Sequence, residues 1–198
     1  MDKYDNLYDY LSREDVAELG RSYLEGIFAG DGHEKRVEEY ALSIFDALSP
    51  SQKVLRNLLS AAARLHDIGH SIDERKHDLH TRTLLKQEQS LKVLPKHLFK
   101  SLMVIAGGHR KKIPEELREL PEEYQEDILK LMGILRVADA IDIGRDPALK
   151  IVHCHLNHKG SRLSIEFNRN VPIFVIERVA KKGELFETTF GLTLYITP

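Results

Sequence analysis

The chain has 198 residues, about 1.3 times a typical domain length, which points to one domain with an appendage. Hydrophobic residues make up 42% and charged residues 30%, enough apolar material for a core and too much for a disordered chain. The 29 basic and 31 acidic residues leave a formal charge of −2, against a duplex nucleic-acid scaffold, and the lone Cys154 excludes a disulfide framework or a cysteine-rich zinc module.

Met1 to Asp15 is acidic without an apolar stretch, so no signal peptide is expected. No apolar run approaches the roughly 18 residues of a membrane span, and a cytoplasmic location is expected. From Ser12 to about Asp142 the apolar period is helical. Ser12 and Asp15 form a capping-box start for a helix through Val16, Leu19, Tyr23 and Ile27, stopped by Gly30 to Gly32. A second helix carries Val37, Tyr40, Ala41, Ile44, Phe45 and Leu48 on one stripe and stops at Ser49-Pro50. Ser51 is expected to cap a third, with Val54, Leu55, Leu58, Leu59, Ala62 and Leu65. A short helix is predicted around Leu79 to Lys86. The next starts at Pro95, runs through Leu98, Leu102 and Ile105, and ends at Gly107-Gly108. Pro121 opens the last long helix, with Ile128, Leu131, Met132, Leu135 and Ala138 inward.

After Pro147 the period changes to two. Val152, Cys154 and Leu156 alternate, Asn157 to Gly160 turns, and Leu163, Ile165 and Phe167 return as a hairpin. Phe174 to Phe190 reads as mostly helical with a break at Gly183, and Leu192, Leu194 and Ile196 as a closing strand. The expected fold class is mainly α: an all-helical domain over residues 1–147, with a small α+β appendage over 148–198 packed on it.

The chain has ten histidines, and some are placed where a core should object to them. His33 lies on the inward stripe of the second helix, His66-Asp67 ends the most apolar helix, and Asp139 points inward four residues after Leu135. An isolated buried carboxylate costs several kcal/mol, so Asp139 needs a cation, either Arg136 or a metal. Without a cation, one of Asp67 and Asp139 is expected to take up a proton. Imidazole with carboxylate suits a first-row divalent metal. His80 starts the short helix, and His109 precedes Arg110, Lys111 and Lys112, a natural place for a phosphate. His153 and His155 read as an exposed strand face; His70, His77, His97 and His158 read as surface or loop residues.

The order His33, His66-Asp67, His80, His109, Asp139 resembles the HD superfamily of metal-dependent phosphohydrolases. "AAARLHDIGHSID", "KHDLHTRTLL", "GGHRKK" and "ILRVADAID" are similar to that family's motif regions. With "KKGELFETTFG", they most resemble the C-terminal HD domain of exopolyphosphatase/guanosine pentaphosphatase proteins, over residues 12–197. The resemblance implies a helical HD domain with His33, His66, Asp67 and Asp139 as core metal ligands and Asp67 as the bridging, catalytic carboxylate. His80 and His109 match the extra histidines of two-metal members; their other reading is hydrogen bonding to substrate phosphate. Exopolyphosphatases carry their phosphatase site in a separate actin-like domain that this chain lacks, so that activity does not transfer.

The expected function is hydrolysis of a nucleotide or related phosphate ester by a metal-activated water. One or two divalent ions per chain are expected, with Mn, Mg, Fe, Co, Ni and Zn not distinguished. Arg110 and Lys112 would hold phosphate oxygens, their plainer reading being a solvated helix-end cluster. The expected partner is a small phosphate or nucleotide, without duplex nucleic acid or membrane; homo-oligomerisation is left open. The alternatives are a regulatory HD module binding nucleotides without turnover, or an adaptor whose metal only holds helices together.

Overall fold

The computed structural model describes residues 5–25, 27, 32–49 and 51–197. Six helices come first: α1 (Arg13–Leu24), α2 (His33–Leu48), α3 (Lys53–Leu65), α4 (His77–Gln87), α5 (Lys96–Gly107) and α6 (Glu122–Ile141). The tail follows as β1 (Ile151–Leu156), β2 (Arg162–Phe167), α7 (Ile173–Lys182), α8 (Glu184–Phe190) and β3 (Thr193–Ile196). The protein is mainly α with a small α+β tail, as its periodicity predicts. Among the described residues no helix is long and apolar enough to cross a membrane.

Local chemistry sets the helix ends. The Asp15 amide donates to Ser12 Oγ at 3.0 Å and the Ser12 amide donates to the Asp15 carboxylate at 3.2 Å, completing the predicted capping box. The first helix stops at Leu24, so Ile27 lies beyond it and is exposed. The predicted stops at Gly30 and Pro50 lie outside the described residues. Ser51 does not cap α3: Gln52 occupies that position, with no side-chain bond to the helix.

Helix α6 is the hub, packing on α2, α3, α5, α7 and α8. The predicted stripe is buried, but so are Ile134, Val137 and Ile141 on its other sides. A helix apolar all round must be covered all round, and α7 and α8 supply that cover. Gly133 permits the approach, because a Cβ there would stand 2.9 Å from Phe186 Cα. One hydrophobic cluster joins Val37, Leu59, Val104 and Leu135 of the helices to Leu163, Val179 and Phe186 of the tail.

The sheet order is β1-β2-β3, antiparallel between β1 and β2 and parallel between β2 and β3. Opposite partners include Cys154 with Ile165 and Leu163 with Leu194. The Asn157 side-chain oxygen accepts from the Ser161 and Arg162 amides, shaping the turn. The predicted alternation fails in β1: Val152 and Leu156 are exposed. The register shifts between Ile151 and His153, and a bulge on an edge strand breaks strict inside–outside order.

Candidate metal centre

Four helices have one end at the same place. The chain leaves α3 at Leu65 and turns through His66 and Asp67 into a short 3₁₀ segment, Ile68–Ser71. His33 opens α2, and Asp139 lies in the last turn of α6. His109 follows α5, held by a 2.6 Å bond from its ring to the Ala106 carbonyl.

Asp67 is the centre of the cluster. Its Oδ1 stands 3.4 Å from His66 Nε2 and 3.5 Å from both His77 Nε2 and His109 Nε2. Its Oδ2 stands 3.4 Å from His33 Nε2 and 3.6 Å from His70 Nε2. Asp139 Oδ1 adds contacts of 3.7 Å to His33 Nε2 and 4.0 Å to His66 Nε2. Two groups of donors emerge: His33, His66 and Asp139, and Asp67, His70 and His77.

The imidazoles are oriented from behind. Nδ1 of His66, His77 and His109 each donates to the carbonyl three residues earlier, at 2.8, 2.8 and 2.6 Å. His33 Nδ1 meets Asp142 Oδ2 at 2.7 Å, and Arg36 clamps both Asp142 oxygens at 2.8 Å. With Nδ1 spent in this way, Nε2 is the atom left to meet a ligand, and in all four rings it faces Asp67.

This arrangement fits a cation. His66 Nε2 is buried without a hydrogen-bond partner, a state that costs about 1–3 kcal/mol. His77 Nε2 and His109 Nε2 are 2.8 Å apart, and two facing lone pairs need a positive charge between them or beside them. Donors around an ion at about 2.1 Å stand roughly 3.0 to 3.4 Å from one another, close to the separations around Asp67.

The electrostatics run against the expected proton uptake. Burial raises the Asp67 carboxyl, but His66, His33 and His109 outweigh it and hold it well below the ordinary carboxylate range. Asp139 is lowered in the same way, burial being overcome by His33, His66 and His109. Burial lowers His33, yet its bonds to Asp139, Asp142 and Asp67 lift it well above its usual value. Burial pushes His109 down to about 3, with the neighbouring His66 acting in the same direction. The surrounding imidazoles thus favour the charged form of both carboxyls.

The predicted residues meet mixed outcomes. His33, Asp67, His109 and Asp139 line one cavity, and His66 is buried behind them with Nε2 toward Asp67 and Asp139. His70 and His77 join them, although the sequence reading left both on the surface. His80 does not: it belongs to neither donor group and does not line the cavity. The reason is helical phase. Thr81 pins α4 to the His-Asp turn, accepting from the Gly69 amide and donating to the His66 carbonyl. His77, four residues before Thr81, shares that face; His80, one residue before it, is turned about 100° away. The signals that could have been read are the pair His77 and Thr81 at helical spacing, and Asp142 one turn beyond Asp139.

Arg136 is not the partner of Asp139. Its guanidinium donates to the Gly108 and Lys112 carbonyls. Lys182 of α7 takes that place, with Nζ 3.6 Å from Asp139 Oδ2 and bonded to the His109 carbonyl at 3.2 Å. The cavity over the cluster has a volume of about 260 Å³ and is also lined by Arg110, Arg145, Arg178 and Lys182. Lys112 is exposed and does not line it. Arg145 adopts a left-handed backbone with φ 49°, a local strain located at the rim of the site.

No curated protein matches this sequence. The family model described as Ppx/GppA phosphatase, domain III, matches residues 29–180. That span holds the whole cluster and helix α7 through Ala180, and the chain therefore belongs to the Ppx/GppA phosphatase domain III family.

Proposed function

We propose that this protein is a metal-dependent phosphohydrolase acting on small phosphate esters, nucleotides among them. The observation that carries this is the convergence of imidazole Nε2 lone pairs and two carboxylates beside a cavity walled by Arg110, Arg178 and Lys182. His33, His66 and Asp139 would hold one divalent ion, and Asp67, His70 and His77, with His109 beside them, a second. So imidazole-rich a set suits a first-row transition metal better than magnesium. An ion bound there supplies a water acidic enough to give hydroxide near neutral pH.

The chain's own residues do the rest. Asp142 and the three backbone carbonyls fix the imidazole rings before any ligand arrives. Asp67, between the two donor groups, is the carboxylate that both would share. Arg110, Arg178 and Lys182 lie where phosphoryl oxygens gather charge, and such charge-assisted bonds stabilise a phosphoryl transition state. The protein need contribute only positioning and electrostatics.

The family match supports a second reading. A domain III accompanies a phosphatase domain in that family, so this chain is alternatively a module that binds phosphate ligands without turnover. Purified protein with Mn²⁺, Co²⁺, Ni²⁺ or Mg²⁺ added singly, assayed on a panel of nucleotides and sugar phosphates, separates the two. Metal-dependent phosphate release that Asp67→Ala abolishes is the expected result. Ligand binding without release establishes the second reading instead.

A further inference from the structure

A second and larger cavity, of about 570 Å³, adjoins the metal-centre cavity. The two share Arg110, Arg178 and Lys182 as a common wall. Beyond that wall the second cavity is lined by Lys111, Arg136 and Lys181, with Glu184 its one carboxylate. Six cations against one anion, in a chain whose net charge is −2, is a strong local concentration of positive charge.

These cations are only partly spent inside the protein. Arg136 donates to the Gly108 and Lys112 carbonyls, which are neutral and leave its charge unpaired by them, and burial pushes it down to about 10, partly offset by Glu184. Arg110 lies 3.7 Å from Asp78 and donates to the Arg75 carbonyl. Arg178 Nε is buried with no hydrogen-bond partner. Lys182 leans toward the metal centre through Asp139. Cations crowded this closely repel one another, and an anion in the second cavity relieves that repulsion.

We propose that the substrate carries two phosphoryl groups, one placed at the His/Asp cluster and the other held in the adjoining basin by Lys111, Arg136 and Lys181. The shared wall of Arg110, Arg178 and Lys182 lies between the two groups and bonds to both. Lys111 and Lys181 are thereby specificity-determining residues: they select a bisphosphate over a monophosphate. The inference rests on the proposed function for the first group only, since the basin stands on its own charge and shape.

The test is calorimetric binding of propyl phosphate and of propanediol bisphosphate, compounds that differ by the second phosphoryl group, to the metal-loaded protein. The bisphosphate should bind at least tenfold more tightly, because charge-assisted contacts contribute about tenfold each. In the double variant Lys111→Gln/Lys181→Gln, both positions exposed, that ratio should fall at least fivefold. Equal affinity of the two compounds for the unmutated protein overturns the inference, as does a ratio that the variant leaves unchanged. Because the readout is binding, a preference for bisphosphate upholds the basin even where the panel of nucleotides and sugar phosphates shows no phosphate release and so removes the hydrolase reading. Phosphate release from that panel with equal affinity for the two propyl compounds does the reverse.

Discussion

Four imidazoles of the cluster have Nδ1 anchored and Nε2 turned toward Asp67. His66, His77 and His109 spend Nδ1 on a carbonyl of their own preceding turn, and His33 spends it on Asp142. A ring so tied cannot rotate its lone pair away, which reduces the entropy lost when a ligand arrives. The residue-level prediction concerns His77 and His80, which differ in phase around α4. With metal in excess, the unmutated protein should hold close to two ions per chain. His77→Ala should hold about one, and His80→Ala should match the unmutated protein. Elemental analysis after gel filtration reads this directly. A loss of metal in His80→Ala with none in His77→Ala would return the second ion to the position first read from the sequence.

At the scale of elements, the site depends on how tightly α4 is pressed onto the turn after α3. Gly69 allows that contact: a Cβ there would fall 1.9 Å from the His77 carbonyl oxygen and 2.5 Å from the Thr81 amide nitrogen. Both are backbone atoms, so the helix itself would have to move. Gly69→Ala should therefore cost about 1–3 kcal/mol, as overpacking does. It should also shift His77 away from Asp67 and weaken binding of the second ion more than the first. Ser12→Ala makes a useful control. Loss of its capping box should cost about 1 kcal/mol and leave metal affinity unchanged, because α1 supplies no ligand. Denaturant unfolding together with metal titration of both variants tests the pair. Equal effects on metal affinity would show that the α4 contact is not what sets His77.

For the whole molecule, the cluster couples folding to metal and to pH. Asp67 and Asp139 are depressed by the imidazoles around them. Their contribution to stability is present above about pH 4 and is lost as pH falls further. His109, driven down by burial to about 3, is stabilising while neutral; that contribution is present above about pH 6.5 and lost on acidification toward 3. His33 has the opposite sign. Its folded value is raised by Asp139, Asp142 and Asp67 against the effect of burial. Its contribution is complete below about pH 6.5 and disappears as pH rises through the raised value. Without metal, alkaline conditions thus strip the proton that offsets the carboxylates. Metal at a hundredfold excess over its Kd stabilises by about 2.7 kcal/mol, or roughly 5–10 °C in Tm for a chain of this size. Chelation should lower Tm by that order at about pH 9 and by clearly less at about pH 6, in paired scanning calorimetry. An unchanged Tm at the higher pH would mean that Lys182 and Arg36 already balance the carboxylates.

The sequence by itself determined every helix of the body, the break at Gly183, the hairpin and the family, because these rest on local period, caps and short motifs. Its apolar stripes singled out His33, His66, Asp67 and Asp139, and the family resemblance added His109 and, with it, His80. Tertiary structure decided the rest. Whether His77 or His80 faces the cluster depends on which side of α4 meets the 3₁₀ turn, and both residues lie in the same polar stretch. Likewise, Arg136 and Lys182 are separated by a whole hairpin and helix in the chain. Only the packing of α7 against α6 brings Lys182 to Asp139 and leaves Arg136 on backbone carbonyls. A charge finds its partner through space, and helical phase and sequence spacing are silent about contacts that the fold makes from distant elements.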